Sequence, residues 1–535
     1  MWKKHRRILQ IMSVMFLVLC TGCQSNQDEI FSESTGTPSQ PSNGETSETV
    51  IPEVDYDSPN YIGPDESELQ DLDPVENDTL SGELLIKRSF ADENINFLAQ
   101  EFMQLHPDVK ISFEEAVSDA EIMKLSKKEI RIKRENYFSR MRMELASGEA
   151  DYLILDMRDG LDPVQLLKSG LLLDLQPYFG NDPEIDQEEY FSRILEAYSV
   201  DGKLPTIPMS VMYNAVYLNR PLLEENGIDL SDIVTVTTQD LLDWYEVART
   251  SEYDLNLFFT SPGKDALFST EQLAYMDLTQ KTARFDSPEF VKFLEGTAAT
   301  ENSDPELSYE NWEIGLMDSG LFNEQIRFRE TGKLEERYFG PPGSYGYEQY
   351  GGIAQKSRSA MAALEPVVHP TLLYLEQPME YVAGPYPLLS SDGKLGLLSR
   401  EEFAIPSSCE NPDLAWEFIK YCIGPREKDR IDFAHFGWPT LYTTDLPLSK
   451  TNLYYHLQDL VENGNTGGIV NYQFEPFDRD SIMDKVNEIF SLPLVNLNSY
   501  GVDVQEYLDE FYVNELTTAE QCAEKIQGRA EIWLN

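Results

Sequence analysis

Between residues 84 and 155, short apolar runs alternate with stretches of helical period, and this alternation limits the fold more than any other feature of the chain. Leu84-Leu85-Ile86-Lys87-Arg88 reads as a short buried strand. Asp92 is placed to cap a helix over 93–105, in which Ile95, Leu98, Phe102 and Leu105 recur at helical spacing. Pro107 ends that helix, and Val109–Phe113 is the next strand. Ser118-Asp119-Ala120-Glu121 has the spacing of a capping box and predicts one helix reaching about Ser147, closed by Gly148. Tyr152-Leu153-Ile154-Leu155 is the third strand. Parallel neighbours need a crossover between them, usually a helix, so the pattern predicts an open α/β sheet. Ligands of such sheets lie outside the carboxyl ends of the strands. Those ends carry Arg88, Ser89 and Phe90 after the first strand, and Asp156, Met157 and Arg158 after the third.

The chain begins with Lys3, Lys4, His5, Arg6 and Arg7, followed by an apolar run from Ile8 to Cys20 broken only by Gln10 and Ser13. A stable transmembrane helix needs about 20 residues, so the run is too short to span. It has the layout of an export signal. It ends in Leu19-Cys20-Thr21-Gly22-Cys23, which resembles the lipobox of bacterial lipoproteins, with Cys20 where that motif usually has Leu. The resemblance implies removal of residues 1–22 and lipidation of Cys23. Residues 24–80 contain neither Lys nor Arg and are rich in Ser, Thr, Pro, Gly, Asn, Asp and Glu. Such a segment buries too little apolar surface to offset its ordering entropy. Residues 23–80 therefore read as a lipidated cysteine and a flexible acidic tether with a reach of roughly 40 Å. Anchor and tether place the body at the extracytoplasmic face of the cell membrane.

Charge and residue counts remove several function classes. Lys and Arg number 42 against 94 Asp and Glu, a formal charge of −52 over 535 residues. Nucleic acid and anionic bilayer surfaces both call for clustered cations. The 41% apolar content supports a sizeable core, and the length suits two large domains or three to four ordinary ones. Five cysteines exclude a disulfide scaffold. With Cys20 and Cys23 assigned to the leader and anchor, Cys409, Cys422 and Cys522 remain. Buried free thiols are the default reading, and a bridge between Cys409 and Cys422 stays open. His106, His369, His435 and His456 show no zinc-ligand spacing, and neither a Gly-x-Ser-x-Gly elbow nor a phosphate-cradling Gly-x₄-Gly-Lys loop is present. No cofactor is expected. A glycosidase needs only two carboxyls about 5–10 Å apart, but nothing selects one pair from so many.

Six segments then stand in order along 102–420. They are Phe102-Met103-Gln104-Leu105-His106-Pro107-Asp108-Val109; Leu145-Ala146-Ser147-Gly148-Glu149-Ala150-Asp151-Tyr152; and Ser169-Gly170-Leu171-Leu172-Leu173-Asp174-Leu175. Further on come Gly202-Lys203-Leu204-Pro205-Thr206-Ile207-Pro208 with Tyr217-Leu218-Asn219-Arg220, and Ala283-Arg284-Phe285-Asp286-Ser287-Pro288-Glu289-Phe290. The last is Phe403-Ala404-Ile405-Pro406 with Asn411-Pro412-Asp413-Leu414-Ala415-Trp416-Glu417-Phe418-Ile419-Lys420. In order and spacing they resemble the extracellular solute-binding proteins of family 1, the carbohydrate-type receptors of ABC importers. Ala150 stands where that family usually has Pro.

The resemblance implies an α/β, two-lobed, periplasmic-binding-protein-like type II fold, each lobe an open α/β sheet, hinged around a ligand cleft. The first crossing is expected near Ile207–Ser210 and the return near Gly396–Phe403. One lobe would comprise 83–207 plus 403–437, the other 208–402 plus 438–535. The implied function is a monomeric, lipid-anchored receptor that binds a sugar or oligosaccharide and delivers it to the permease subunits of an ABC importer. No bond is made or broken, so the chain is not expected to be an enzyme. An anchored sensor or glycan-capture protein without a permease is the second reading, and a hydrolase on the same scaffold the third.

A sugar offers hydroxyls in the ring plane and an apolar face, so its site needs planar polar groups and aromatic cover. Asp156 and Arg158 occupy a strand end where the family commonly places ligand contacts, and Arg88 and Phe90 follow the first strand. Ser210 and Tyr213 follow the crossing motif. Glu365 follows Met361-Ala362-Ala363-Leu364 at an expected strand end, although the family's site glycine is absent there. Trp438, in Phe436-Gly437-Trp438-Pro439-Thr440, resembles a turn near the hinge. Trp416 sits among Leu414, Ala415, Phe418 and Ile419 at helical spacing and is assigned to the core. Lys124, Lys127, Lys128, Arg131 and Arg134 form a basic stripe that reads as pairing with the protein's own carboxylates, or as a docking face.

Overall fold

The computed structural model describes residues 74–75, 79–122, 124–157, 161–249, 255–259, 263–300, 318–336, 341–344, 347–348, 351, 359–367, 379–426, 446–463 and 479–534. The export signal, the lipobox, most of the tether, Arg158, His369, His435 and Trp438 lie outside the described residues.

In chain order the strands begin with β1 (Gly82–Arg88), β2 (Val109–Glu115), β3 (Leu153–Leu155), β4 (Ile207–Pro208) and β5 (Ser210–Asn219). Next are β6 (Val236–Thr237), β7 (Leu255–Phe258), β8 (Met276–Asp277), β9 (Thr282–Ala283) and β10 (Ser359–Val367). The series ends with β11 (Val382–Leu389), β12 (Leu395–Leu398), β13 (Glu402–Ala404), β14 (Leu446–Pro447) and β15 (Leu494–Asn496). Two sheets result, apart from the small β8–β9 hairpin. The first has the order β2-β1-β3-β13-β4 and the second β15-β12-β11-β5-β10-β7, with β6 beside β11 and β14 beside β5.

The alternation read from the sequence produces the parallel part of the first sheet. β1 runs parallel to β2 from Gly82↔Val109 to Arg88↔Glu115, and parallel to β3 at Ile86↔Leu153. The helix Glu93–Leu105 that connects β1 to β2 is capped by Asp92, whose side chain accepts from the Ile95 N–H at 3.0 Å. One expected helix is two. Ser118 donates its N–H and Oγ to the Glu121 carboxylate at the start of the short helix Asp119–Ile122. Ser126 then caps a second helix, Lys127–Ser147, through a reciprocal box with Glu129. A second Ser-x-x-Glu so close to the first restarts the helix instead of extending it. Gly148, at φ +74°, ends it with its N–H on the Leu145 carbonyl.

The helices Glu93–Leu105 and Pro412–Ile423 pack together against the first sheet, where the Phe418 ring meets Phe102 edge-on at 5.5 Å and Phe403 at 6.4 Å. Trp416 is buried among them, as expected, and its Nε1 donates to Asp182 Oδ2 at 2.9 Å. The same core continues onto one face of the second sheet, through Val211, Tyr213, Leu395 and Leu397. The helices Lys450–Asn463 and Arg479–Phe490 join it there, and Phe490 contacts Phe191 edge-on at 5.0 Å. The opposite face of the second sheet carries a separate core, built with the helices Thr238–Ala248, Pro288–Ala299 and Ala519–Leu534. The whole is a two-lobed α/β fold, with the chain crossing from β4 to β5 and returning from β12 to β13. Among the described residues no helix is long and apolar enough to cross a membrane.

Candidate ligand site at the junction of the sheets

Pairing directions bring one edge of the first sheet to the junction. β1, β2 and β3 are parallel, so Arg88, Glu115 and the residue after Leu155 lie at the same edge. β13 is antiparallel to β3, with Phe403 opposite Leu155, and this puts its first residue, Glu402, beside Asp156. β4 is antiparallel to β13, with Pro208 opposite Glu402. From that edge the chain runs through Met209 into β5 of the second sheet.

Backbone hydrogen bonds join the connecting segments. The Met209 N–H donates to the Glu401 carbonyl at 2.8 Å, and the Leu448 N–H donates to the Met209 carbonyl at 3.0 Å. β14 extends the contact, with Leu446 opposite Val211 and Pro447 opposite Ser210. Ser210 is buried, and its Oγ donates to Glu401 Oε2 at 3.1 Å.

The expected site residues fare differently at this junction. Asp156 is buried at φ +81°, in the left-handed region that non-glycine residues seldom enter, and its N–H donates to the Glu402 carbonyl at 3.1 Å. Backbone held there by its surroundings tends to mark functional positions. Arg88 is turned into its own lobe. It is 2% exposed, with Nη2 on Glu115 Oε1 at 2.5 Å and Asn96 Oδ1 at 2.8 Å, and its guanidinium lies 4.1 Å over the Phe113 ring. It ties the ends of β1 and β2 to the helix between them. Phe90 is half-buried and has the Arg134 guanidinium 4.8 Å over its ring, on a face a sugar would otherwise stack against. Tyr213 is buried in the core under the second sheet, and burial alone pushes its phenol far above the ordinary range. Glu365 lies in β10 opposite Ala215.

Sequence reasoning missed the most elaborated group at the junction. Glu402 is fully buried, and its carboxyl accepts from Thr206 Oγ1 at 2.5 Å, Asn498 Nδ2 at 2.5 Å and Asn496 Nδ2 at 3.4 Å. Burial pushes its pKa up and the neighbouring Asp156 charge adds to the rise, while the three hydrogen bonds oppose it. The only trace in the sequence is a Glu401-Glu402 pair before the apolar Phe403-Ala404-Ile405, which does not stand out in so acidic a chain.

Of the basic stripe, Arg131 lies 3.5 Å from Glu135 and Arg134 covers Phe90, whereas Lys128 is exposed. Cys409, Cys422 and Cys522 are free thiols, the last two buried. Among the described residues no three His, Cys, Asp or Glu side chains are grouped to hold a metal ion.

The two sheets thus meet at a polar junction beyond the strand ends. Residues 91–320, somewhat under half of the chain, match the family described as bacterial extracellular solute-binding protein. Similar solved structures include an extracellular solute-binding protein of family 1 from Alicyclobacillus acidocaldarius, at 14% identity over 86% of this chain and 100% of that one, with a TM-score of 0.46. Another is the cyclic alpha-maltosyl-1,6-maltose binding protein from Arthrobacter globiformis, at 14% identity over 85% and 99% of the two chains, TM-score 0.44. A third is the sugar-binding protein MalE from Xanthomonas citri, at 14% identity over 85% and 97%, TM-score 0.46. No curated protein matches the chain.

Proposed function

We propose that this solute-binding protein is the lipid-anchored receptor of an ABC importer, that it takes a sugar or oligosaccharide between its lobes, and that it hands the ligand to a permease in the closed state. The observation that carries the reading is the junction itself. Two sheets are joined by closely hydrogen-bonded connections, and the carboxyl ends of β1 and β3 open there with a buried, left-handed Asp156. Ligand contacts from both lobes would favour the closed state by their differential affinity for it. The carbohydrate class is supported by the six segments along 102–420, and the anchor by Leu19-Cys20-Thr21-Gly22-Cys23. We place the first lobe at 83–207 plus 403–437 and the second at 208–402 plus 438–535, with the helices over 450–490 shared with the first lobe's core. Asp156 heads the site, with Arg158, Glu365 and Trp438 as further ligand contacts. Phe90 and Ser210 line its margin, whereas Arg88 and Tyr213 shape it from inside.

The test is a thermal-shift screen over mono- and oligosaccharides, with peptides and polyamines as controls. A ligand at 100 times its Kd stabilises the folded state by about 2.7 kcal/mol. A saccharide that raises Tm and is recovered unchanged supports the reading. A panel in which only a peptide or polyamine binds refutes the carbohydrate assignment, and turnover of the bound glycan refutes the receptor.

A further inference from the structure

We infer that Glu402 is the positioning residue of the hinge: its buried carboxyl ties the second lobe to the first and sets the angle at which the two stand. The inference rests on the two-lobed receptor reading above. Glu402 opens β13 in the first sheet, and Thr206, which donates to it at 2.5 Å, immediately precedes β4 of that sheet. Asn496 ends β15, which pairs with β12 in the second sheet, and Asn498 follows it. One carboxyl thus accepts hydrogen bonds from both sides of the crossing. Asn498 Nδ2 also donates to the Ser399 carbonyl at 3.2 Å, so the second lobe grips the return segment and the carboxyl at its end together.

The chemistry suits a fulcrum. Glu402 is fully buried, and an acceptor in a water-free interior is costly to leave unpaired. Rotation of the lobes therefore proceeds about this contact and not by breaking it. Among the described residues the buried Glu401 also meets the crossing, accepting from Ser210 Oγ at 3.1 Å, while buried carboxyls farther from it bind within one side. Glu271, for example, accepts from Thr238 and Ser391, both on the second-sheet side. Nothing in the core requires a carboxyl at position 402, since a well-packed apolar side chain in place of a buried polar group is often as stable.

The experiment measures the lobe angle directly, without a ligand. The chain from residue 23 onward carries Cys23→Ser and Cys409→Ser, with nitroxides at Met143→Cys in the first lobe and Val234→Cys in the second, both well exposed. Double electron–electron resonance then gives the interlobe distance distribution. Glu402→Gln should shift or broaden that distribution, because one amide edge now faces a donor. Asn498→Ala, which removes the second lobe's donor and leaves the carboxyl in place, should change it in the same direction. The double variant should add little to either. Distributions that superimpose on the parent in both folded variants overturn the inference, even if their Tm falls, since a purely structural role would lower Tm alone. Positive saccharide binding with unchanged distances sinks the fulcrum and leaves the receptor standing. Altered distances with no saccharide binding do the reverse.

Discussion

Replacing Arg426 with methionine should destabilise the protein by about 3–5 kcal/mol, because it strands a carboxylate that has no route to water. Arg426 follows the helix Pro412–Ile423, on the segment that returns from the second sheet, and Glu101 lies on the helix Glu93–Leu105. Arg426 Nη1 meets Glu101 Oε2 at 3.1 Å, with the two side chains only 6% and 2% exposed. Tyr421 Oη donates to the same oxygen at 3.0 Å, and the guanidinium lies 4.7 Å over the Tyr421 ring. Burial pushes the Tyr421 phenol up to about 12, so it stays protonated and keeps donating when the arginine is gone. That remaining bond keeps the cost near the lower end of the range, and loss of the cation–ring contact adds about 1 kcal/mol. An exposed pair makes the contrast. Arg193 and Glu196 meet at 2.7 Å with both side chains more than half exposed, and removing that pair should cost under about 1 kcal/mol. Urea unfolding followed by circular dichroism measures both variants. Adding Glu101→Leu to Arg426→Met should recover much of the loss, since it removes the stranded charge. A loss below about 1 kcal/mol for Arg426→Met, or no recovery in the double variant, would refute the reasoning and with it the claim that the returning segment is locked into the first lobe.

Further outcomes follow from single sites. Burial holds the Asp162 carboxyl up at about 6 against an ordinary 3.8, so the folded state binds this proton more tightly than the unfolded chain. The resulting stabilisation, about 1–3 kcal/mol, is full below about pH 4 and is lost as pH rises through 6. Asp162→Asn should flatten that stretch of the stability–pH curve, measured by urea midpoints from pH 4 to 8, and an unchanged slope contradicts it. At Gly384 the backbone stands at φ +116°, and an added Cβ would lie 2.6 Å from the Val216 carbonyl oxygen. Gly384→Ala should therefore cost about 2–4 kcal/mol, read as a fall in Tm, and a neutral result would mean that β5 and β11 are not packed this closely. Ser126→Ala removes the cap that starts the helix Lys127–Ser147 and should cost about 1 kcal/mol in the same assay. Cys23→Ser should move the protein from the membrane fraction into the medium, and retention on membranes would sink the lipid anchor.

Much of the first sheet was legible along the chain. Leu84–Ile86 and Leu153–Leu155 are apolar runs short enough to be buried strands, Val109–Phe113 alternates apolar with polar residues, and the caps at Asp92 and Gly148 are local chemistry, so a few neighbouring residues decide them. Trp416 was legible as core for the same reason, since its apolar neighbours share one helix face. The break at 124–126 was not foreseen, because the Ser-x-x-Glu at 118–121 hid the one at 126–129. Arg88 and Tyr213 show the limit at the site. Position at a strand end says that a side chain reaches the mouth of the sheet, but not whether Glu115 and Asn96 will claim its guanidinium or a core will enclose its ring.

From composition, spacing and order, the sequence alone determined an acidic chain with an α/β pattern and a solute-binding family's motifs, and it raised the expectation of an export signal and a tether. Those features are local or are sums over the chain. Only the tertiary structure decided that Glu402, Thr206, Asn496 and Asn498 meet. Three segments separated by about 90 residues or more are brought to one buried point only when both sheets have formed, and the burial that gives the carboxyl its character does not exist until then.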